Sequence, residues 1–295
     1  MTEVKIVLPP LQQNDFARQL SSMQKEYLQE ALLASAKDIP VKKRDQELAK
    51  YAGDDGLAYL GQYGLRGELL FAIPCILEKN PRLLGYYRLL LGHSQKVFYT
   101  KTTGLNRFKS MEDNGRITQQ VLETLPLLCA KLNEQAFILA KSLNTISREL
   151  LNHLTLLTLG PQLRGGANNK IGQKAIKEVF DMIHQIVEKQ IINVDEKLSI
   201  ITLKNASGRH VHIKFSSDPD IIIEEETSTE PHLILAIEIK GGTDQSNIHN
   251  RIGEAEKSHQ KAKGQGFSKF WTIVNTSDFD EKKAKKRISY NKSLL

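Results

Sequence analysis

The sequence predicts an α/β protein: a mainly helical N-terminal region, residues 1–160, followed by a mixed sheet flanked by helices over residues 161–295. Three observations support this. Apolar residues recur at helical spacing through the first half. The texture changes where Gly160, Gly165, Gly166 and Gly172 surround a polar Asn pair. Beyond that point, short β-rich runs alternate with amphipathic helical stretches.

Taken in order, "NDFARQLSSMQKEYLQEALLASAKDI", "GELLFAIPCILEKNPRLLGYYRLLLGHSQKVFY" and "ITQQVLETLPLLCAKLNEQAFILAKSLNTISRELLNHLTLLTLG" read as helices with Pro and Gly marking breaks. No fixed-period repeat is visible. In "QKAIKEVFDMIHQIVEKQ" the residues Ile176, Val179, Phe180, Ile183 and Val187 form one apolar stripe at i, i+3, i+4, i+7 and i+11, which predicts a helix. The period then switches. "KLSIITLK" and "RHVHIKF" alternate as strands about "NASG", good hairpin chemistry, and "DIIIEE" and "HLILAIEIK" supply further extended pieces. A second helix follows in "NIHNRIGEAEKSHQKAKG", with Ile248, Ile252, Ala255, His259 and Ala262 on one seam and Gly264 as its stop. "FSKFWTIVN" closes as an apolar strand with Trp271 in the core, so the order reads αβββαβ.

Composition narrows the function classes. The 295 residues are enough for one large domain or two smaller ones, and 41 Lys+Arg against 34 Asp+Glu leave a net charge of +7, which leans toward a polyanionic partner. Cys75 and Cys129 both sit in apolar runs and read as buried thiols in a reducing compartment, not as a disulfide framework or a zinc site. The N-terminus lacks a basic start followed by an apolar core, and no apolar run approaches the roughly 18 residues a membrane span needs. A soluble, cytoplasmic protein without membrane partners is expected.

The segment "SSDPDIIIEEETSTEPHLILAIEIKGG" carries the chemistry. Glu238 and Lys240 are two apart in a strand, so both leave the face opposite to Ile237 and Ile239. Charges ending an otherwise apolar strand are costly unless compensated, and a divalent cation compensates them. With Asp220 on a neighbouring strand, Glu238 and the main-chain carbonyl of Ile239 offer hard oxygen ligands to Mg²⁺. Lys240 then lies where it can orient or help deprotonate a water attacking phosphorus in line. Pro219 fixes φ before the ligand and cannot donate to a sheet, which suits a strand start. The plain alternative is an ordinary ion pair on an edge strand beside a turn aspartate. Bare triplets also occur as "DEK" at 195–197 and "EKK" at 281–283, but neither ends an apolar strand or follows a Pro-Asp.

These residues resemble the PD-(D/E)xK nuclease signature: Pro219, Asp220, a spacer, then Glu238, Ile239 and Lys240, in an element order that matches the common core of that fold. The resemblance implies that an acidic residue on the preceding helix supplements the metal site, with Glu178, off the apolar stripe, as the candidate. Gly241 and Gly242 permit a tight exit and close approach of backbone to a ligand. Asp244, Asn247, His249, Asn250 and Arg251 follow, groups that read base edges or grip phosphates. They serve equally as the polar face of a helix capped by Asp244 or Ser246, and His249 as a general acid/base. Lys257, Lys261 and Lys263 suit phosphates or solvent.

Together with "RGGANNKIGQKAIKEVF" and "LLGYYRLLLGHSQKVFY", the segment is similar to the XcyI-type restriction endonucleases, most densely over residues 164–264. That resemblance implies a Mg²⁺-dependent homodimer cutting double-stranded DNA at CCCGGG, alongside a cognate DNA methyltransferase. Two other readings stay open: a repair or junction nuclease on the same fold, and a non-catalytic basic DNA-binding protein. Arg66, Arg88 and Lys96 read as DNA-backbone contacts or as exposed basic tips of packed helices. "EKKAKKR" reads as a solvated charged face. "HVH" at 210–212 lacks an acidic partner nearby in sequence, which argues against a metal site.

Overall fold

The structure, a computed structural model, describes residues 12–195, 199–216, 218–241, 248–274 and 293–294, with 12, 248–252 and 293–294 as backbone only. The chain divides into two compact units, Met1–Gly165 and Gly166–Leu295.

In the first unit the apolar spacing folds into helices α1 (Gln12–Glu26), α2 (Gln29–Lys37), α3 (Val41–Ala52), α4 (Asp54–Gly61), α5 (Pro74–Lys79), α6 (Leu84–Leu90), α7 (Gln95–Phe98), α8 (Lys109–Asn114), α9 (Gln119–Ser142) and the start of α10 (Arg148–Val187). Local chemistry sets their ends. Pro74 opens α5 where a missing N–H costs nothing, Gly115 closes α8 at φ +64°, and the Thr118 hydroxyl accepts the Val121 N–H ahead of α9. The core gathers Leu32, Phe71, Ile73, Ile76, Leu77, Tyr86, Tyr87 and Leu125. Cys75 and Cys129 are buried and free, and burial pushes the Cys75 thiol up to about 12, which makes it inert.

Arg88 is no exposed basic tip. It is 1% exposed and grips Glu112 with two hydrogen bonds, Nε to Oε2 at 2.9 Å and Nη2 to Oε1 at 2.6 Å. Tyr99 and Gln95 add donors to the same carboxylate at 2.6 and 2.8 Å, and the His93 carbonyl takes a further Arg88 proton. Burial alone would raise the Glu112 carboxyl, but the Arg88 hydrogen bond and charge, with Tyr99 and Gln95, outweigh it and hold the group below the usual range. Arg66 is likewise engaged, with Asp45 at 2.9 Å and Glu68 at 3.3 Å.

The glycine-rich stretch does not break the chain. α10 runs for 40 residues through Pro161, Gly165 and Gly166. An interior glycine costs a helix only about 1 kcal/mol relative to alanine, and Leu159 and Leu163 pack in an apolar cluster beside Pro161, which offsets that cost. Pro126 is similarly carried inside α9.

In the second unit the sheet runs in the order β1 (Ile191–Asp195), β2 (Ile200–Lys204), β3 (His210–Phe215), β4 (Ile221–Glu225), β5 (His232–Lys240), β6 (Lys269–Val274) and β7 (Ser293–Leu294), with α11 (Ile248–Gly264) between β5 and β6. β1 to β5 pair antiparallel, and β6 and β7 join in parallel. Five strands therefore precede α11: the four extended segments expected from the sequence, which the order αβββαβ counts as three, form β2 to β5, and "IINVD", directly after a helix, carries no alternation that marks it as β1. The hairpin about "NASG" forms as expected, closed by the Gly208 N–H on the Asn205 carbonyl at 2.9 Å with Gly208 at φ +78°.

The pleat separates the two sheet faces. Ile237 and Ile239 join Ile201, Ile213, Ile221 and Leu235 under Ala175 and Val179 of α10. Ala236 joins Phe267, Phe270 and Ala262 of α11 on the other face. Alternation then sends Glu238 and Lys240 to the α11 side. Gly241 ends β5 hard against α10: a Cβ there would lie 2.2 Å from the Ala175 Cβ. The close approach that requires glycine at 241 is thus that of a helix, not of a ligand as the sequence suggested.

Two stability outcomes follow. Arg88→Met leaves the Glu112 carboxylate buried without its cation and should cost about 3–5 kcal/mol, read as a lowered urea midpoint. Gly241→Ala should cost about 1–3 kcal/mol by overpacking, and the second substitution Ala175→Gly should return most of it.

Candidate active site

The end of the β4–β5 ladder builds the site. Ile221 pairs with Ile237, so Asp220 faces Glu238 and Pro219 falls opposite Ile239. Pro219 has no N–H to exchange, and its carbonyl accepts the Ser216 hydroxyl at 2.7 Å. The Ile239 N–H goes instead to the Asp220 carboxylate, Oδ2, at 2.6 Å. That bond fixes Asp220 beside the C-terminal end of β5. Because the N–H and C=O of an extended residue point to the same edge, the Ile239 carbonyl faces this side as well.

Glu238 and Lys240 emerge together from β5, with Lys240 Nζ donating to Glu238 Oε1 at 2.7 Å. Glu238 is only 6% exposed, and its second oxygen, Oε2, is buried with no hydrogen-bond partner among the described residues; Glu68 Oε2 is the other such atom, but there two arginines, Arg44 and Arg66, hold the companion oxygen. A buried carboxylate oxygen left unpaired is expensive, so Glu238 Oε2 calls for a cation. Asp220 is pushed up to about 6, chiefly by burial and then by the Glu238 charge, against the lowering effect of the Ile239 N–H and of Lys240. The Lys240 charge does not offset the burial of Asp220 beside Glu238. Hard oxygens, an orphaned buried acceptor and a destabilised neighbouring carboxylate fit Mg²⁺. Among the described residues no group of three or more His, Cys, Asp or Glu side chains is placed to hold a metal, so such an ion would rely on two carboxylates, a carbonyl and water.

The remaining expected site residues are placed differently. Glu178 lies on α10, which covers the opposite face of the sheet, and pairs there with Lys174 at 3.5 Å on an exposed surface. Lys257 is exposed on α11. Asp244 and Asn247 lie outside the described residues, as do the side chains of His249, Asn250 and Arg251. His259 on the α11 seam is buried at 3% exposure, with its Nε2 3.1 Å from the Trp271 carbonyl. The "HVH" histidines do have an acidic partner, contrary to the sequence reading. Glu226 sits 3.1 Å from His210 and 3.8 Å from His212, because antiparallel pairing brings the end of β4 beside the start of β3.

Sequence reasoning missed Asp218. Its Oδ2 accepts from Lys261 of α11 at 2.7 Å, two residues before Asp220. The doubled aspartate in "SDPD" was visible, but only the fold shows that the first of the pair faces the helix.

A model of the XcyI restriction endonuclease family matches residues 17–293. The chain is 51% identical over 288 residues to the type II restriction enzyme Cfr9I of Citrobacter freundii, covering 96% of this chain and 87% of that protein. It is 50% identical over 282 residues to the type II restriction enzyme XcyI of Xanthomonas campestris pv. cyanopsidis, covering 94% and 84%. No solved structure matches. An aspartate aimed by the ladder's end, facing a buried glutamate with an unpaired oxygen and its lysine, thus lies in a chain that belongs to the XcyI restriction endonuclease family.

Proposed function

We propose that this chain, a type II site-specific deoxyribonuclease by family, hydrolyses double-stranded DNA at CCCGGG with Mg²⁺ held by Asp220, Glu238 and the Ile239 carbonyl. The unpaired, buried Glu238 Oε2 is the observation that carries the metal assignment. The αβ core with its Asp220, Glu238 and Lys240 constellation supports a PD-(D/E)xK nuclease fold, elaborated here by two extra antiparallel strands. No helix of the described residues is long and apolar enough to cross a membrane, and the net charge of +7 favours a polyanion.

When bound, Mg²⁺ supplies charge neutralisation at the scissile phosphate and acidifies water. The protein's own groups do the rest. Asp220 is preset by the Ile239 N–H, so its carboxylate needs no reorganisation on loading. Glu238 holds the Lys240 ammonium by one oxygen and keeps the other for the ion. Lys240 orients the attacking water and places positive charge beside the phosphate. Glu178, on the opposite face of the sheet and paired with Lys174, stays outside this metal site. Asp244, Asn247, His249, Asn250, Arg251 and Lys257 belong to the DNA-contacting stretch that follows β5. A palindromic target suits a homodimer, since a two-fold protein meets a two-fold site. The helical N-terminal region then provides DNA contact or dimerisation, and a cognate methyltransferase protects host sites in a cytoplasmic restriction-modification system.

Digestion of a sequenced plasmid in Mg²⁺ tests this reading. Discrete fragments with ends inside CCCGGG, after the first C, are expected; random nicking or cuts only at branched DNA would point to a structure-specific nuclease. Glu238→Ala and Lys240→Ala should each lower single-turnover cleavage by at least about a thousandfold while keeping DNA binding in Ca²⁺. Wild-type rates in either variant would reject the assignment.

The Asp220 carboxyl gives a pH signature. Its pKa is raised on folding, so the folded protein holds the proton more tightly than the unfolded chain and loses stability as pH rises from about 4 through about 6. Without metal, Asp220→Asn should be more stable than wild type above pH 6, with no such gain near pH 4. At limiting Mg²⁺ the cleavage rate should fall as pH drops through about 6, and added Mg²⁺ should move the midpoint lower, because ion and proton compete. A midpoint independent of Mg²⁺ would separate Asp220 from the ion.

A further inference from the structure

The pair formed by Asp218 and Lys261 is unused by the scheme above. It joins the turn that carries Asp220 to α11, the helix on the face where Glu238 and Lys240 emerge. Both partners are solvated, with side chains 39% and 68% exposed. A salt bridge between exposed groups contributes about 0–1 kcal/mol, too little to explain a structural pin and weak enough to exchange for another anion. Lys261 also lies in the field of the site: it is raised above its ordinary value first by the Asp218 hydrogen bond and, to a smaller degree, by the Glu238 charge. An ammonium has three donors, of which Asp218 takes one.

We infer that Lys261 binds a phosphate of the DNA backbone next to the one being cut, and that Asp218 holds its ammonium in place until that phosphate arrives. This rests on the nuclease reading. Lys261 reaches from α11 to the turn that carries Asp220, on the sheet face from which Glu238 and Lys240 emerge, and is therefore placed to meet a strand whose phosphate lies at those residues. Before binding, Asp218 keeps a long, flexible side chain beside the cleft and so reduces the ordering cost that a free lysine would incur. As DNA enters, a phosphate oxygen replaces the carboxylate as the acceptor. Asp218 is then a competitor for Lys261 and a like charge near the strand, so its removal strengthens binding.

The test is equilibrium binding in Ca²⁺ across a salt series, using a duplex that carries the site cut in the plasmid digest. Lys261→Met should weaken binding about tenfold and reduce the slope of log K against log[salt] by about 1, as expected for one lost phosphate contact. Lys261→Arg should restore both. Asp218→Asn should bind at least as tightly as wild type with an unchanged slope. If Lys261 only tethers the Asp218 turn, Lys261→Met and Asp218→Asn will weaken binding alike and leave the slope where it was, and the inference fails. It also fails if Lys261→Met matches wild type. A wild-type protein that cuts no plasmid site in Mg²⁺ would instead overturn the nuclease reading itself.

Discussion

The hydrogen bond from the Ile239 N–H to the Asp220 carboxylate, at 2.6 Å, is the constraint on which the site depends. It exists because the β4–β5 ladder stops at a proline. In register, Pro219 stands opposite Ile239 but brings no N–H, and its carbonyl is taken by Ser216. An orphaned strand amide therefore selects the nearest acceptor, the side chain of the next residue. Asp220 is aimed by a defect in the sheet, and pleating delivers Glu238 and Lys240 to the same side without further machinery.

Two of the buried charge clusters among the described residues contrast in purpose. Around Glu112 both carboxylate oxygens are satisfied by Arg88, Tyr99 and Gln95, and the carboxyl is held low. Around Glu238 one oxygen is paired and the other is not, and the neighbouring Asp220 is pushed up to about 6. The first cluster stabilises a helical core. The second stores an unfavourable electrostatic arrangement, which under the proposed function a hard cation would relieve, a stability cost of the kind functional sites carry.

Much of this was legible in the sequence because it depends on short-range order. Strand alternation put Glu238 and Lys240 on one side, the proline marked where pairing ends, and the i, i+3, i+4 stripe from Ile176 to Val187 defined the face of α10. The seam at Ala255, His259 and Ala262 was equally local, and all three are buried. What escaped notice depends on partners distant in sequence. Arg88 looks like a surface base until Glu112 is brought beside it. Asp218 looks like a turn residue until α11 returns across the sheet with Lys261. Gly241 needs Ala175, 66 positions earlier, to explain it. The glycine stretch read as a seam does hold the boundary between the two units, but α10 runs through it unbroken, with Leu159 and Leu163 on either side of Pro161 packed in one apolar cluster.

The most direct check is the location of Mn²⁺ by anomalous scattering in crystals of the protein with its target duplex. The peak should be bonded to carboxylate oxygens of both Asp220 and Glu238 and to the Ile239 carbonyl, with Glu238 Oε2 among the ligands. A peak held by other residues, with that oxygen still lacking any partner, would contradict the metal assignment.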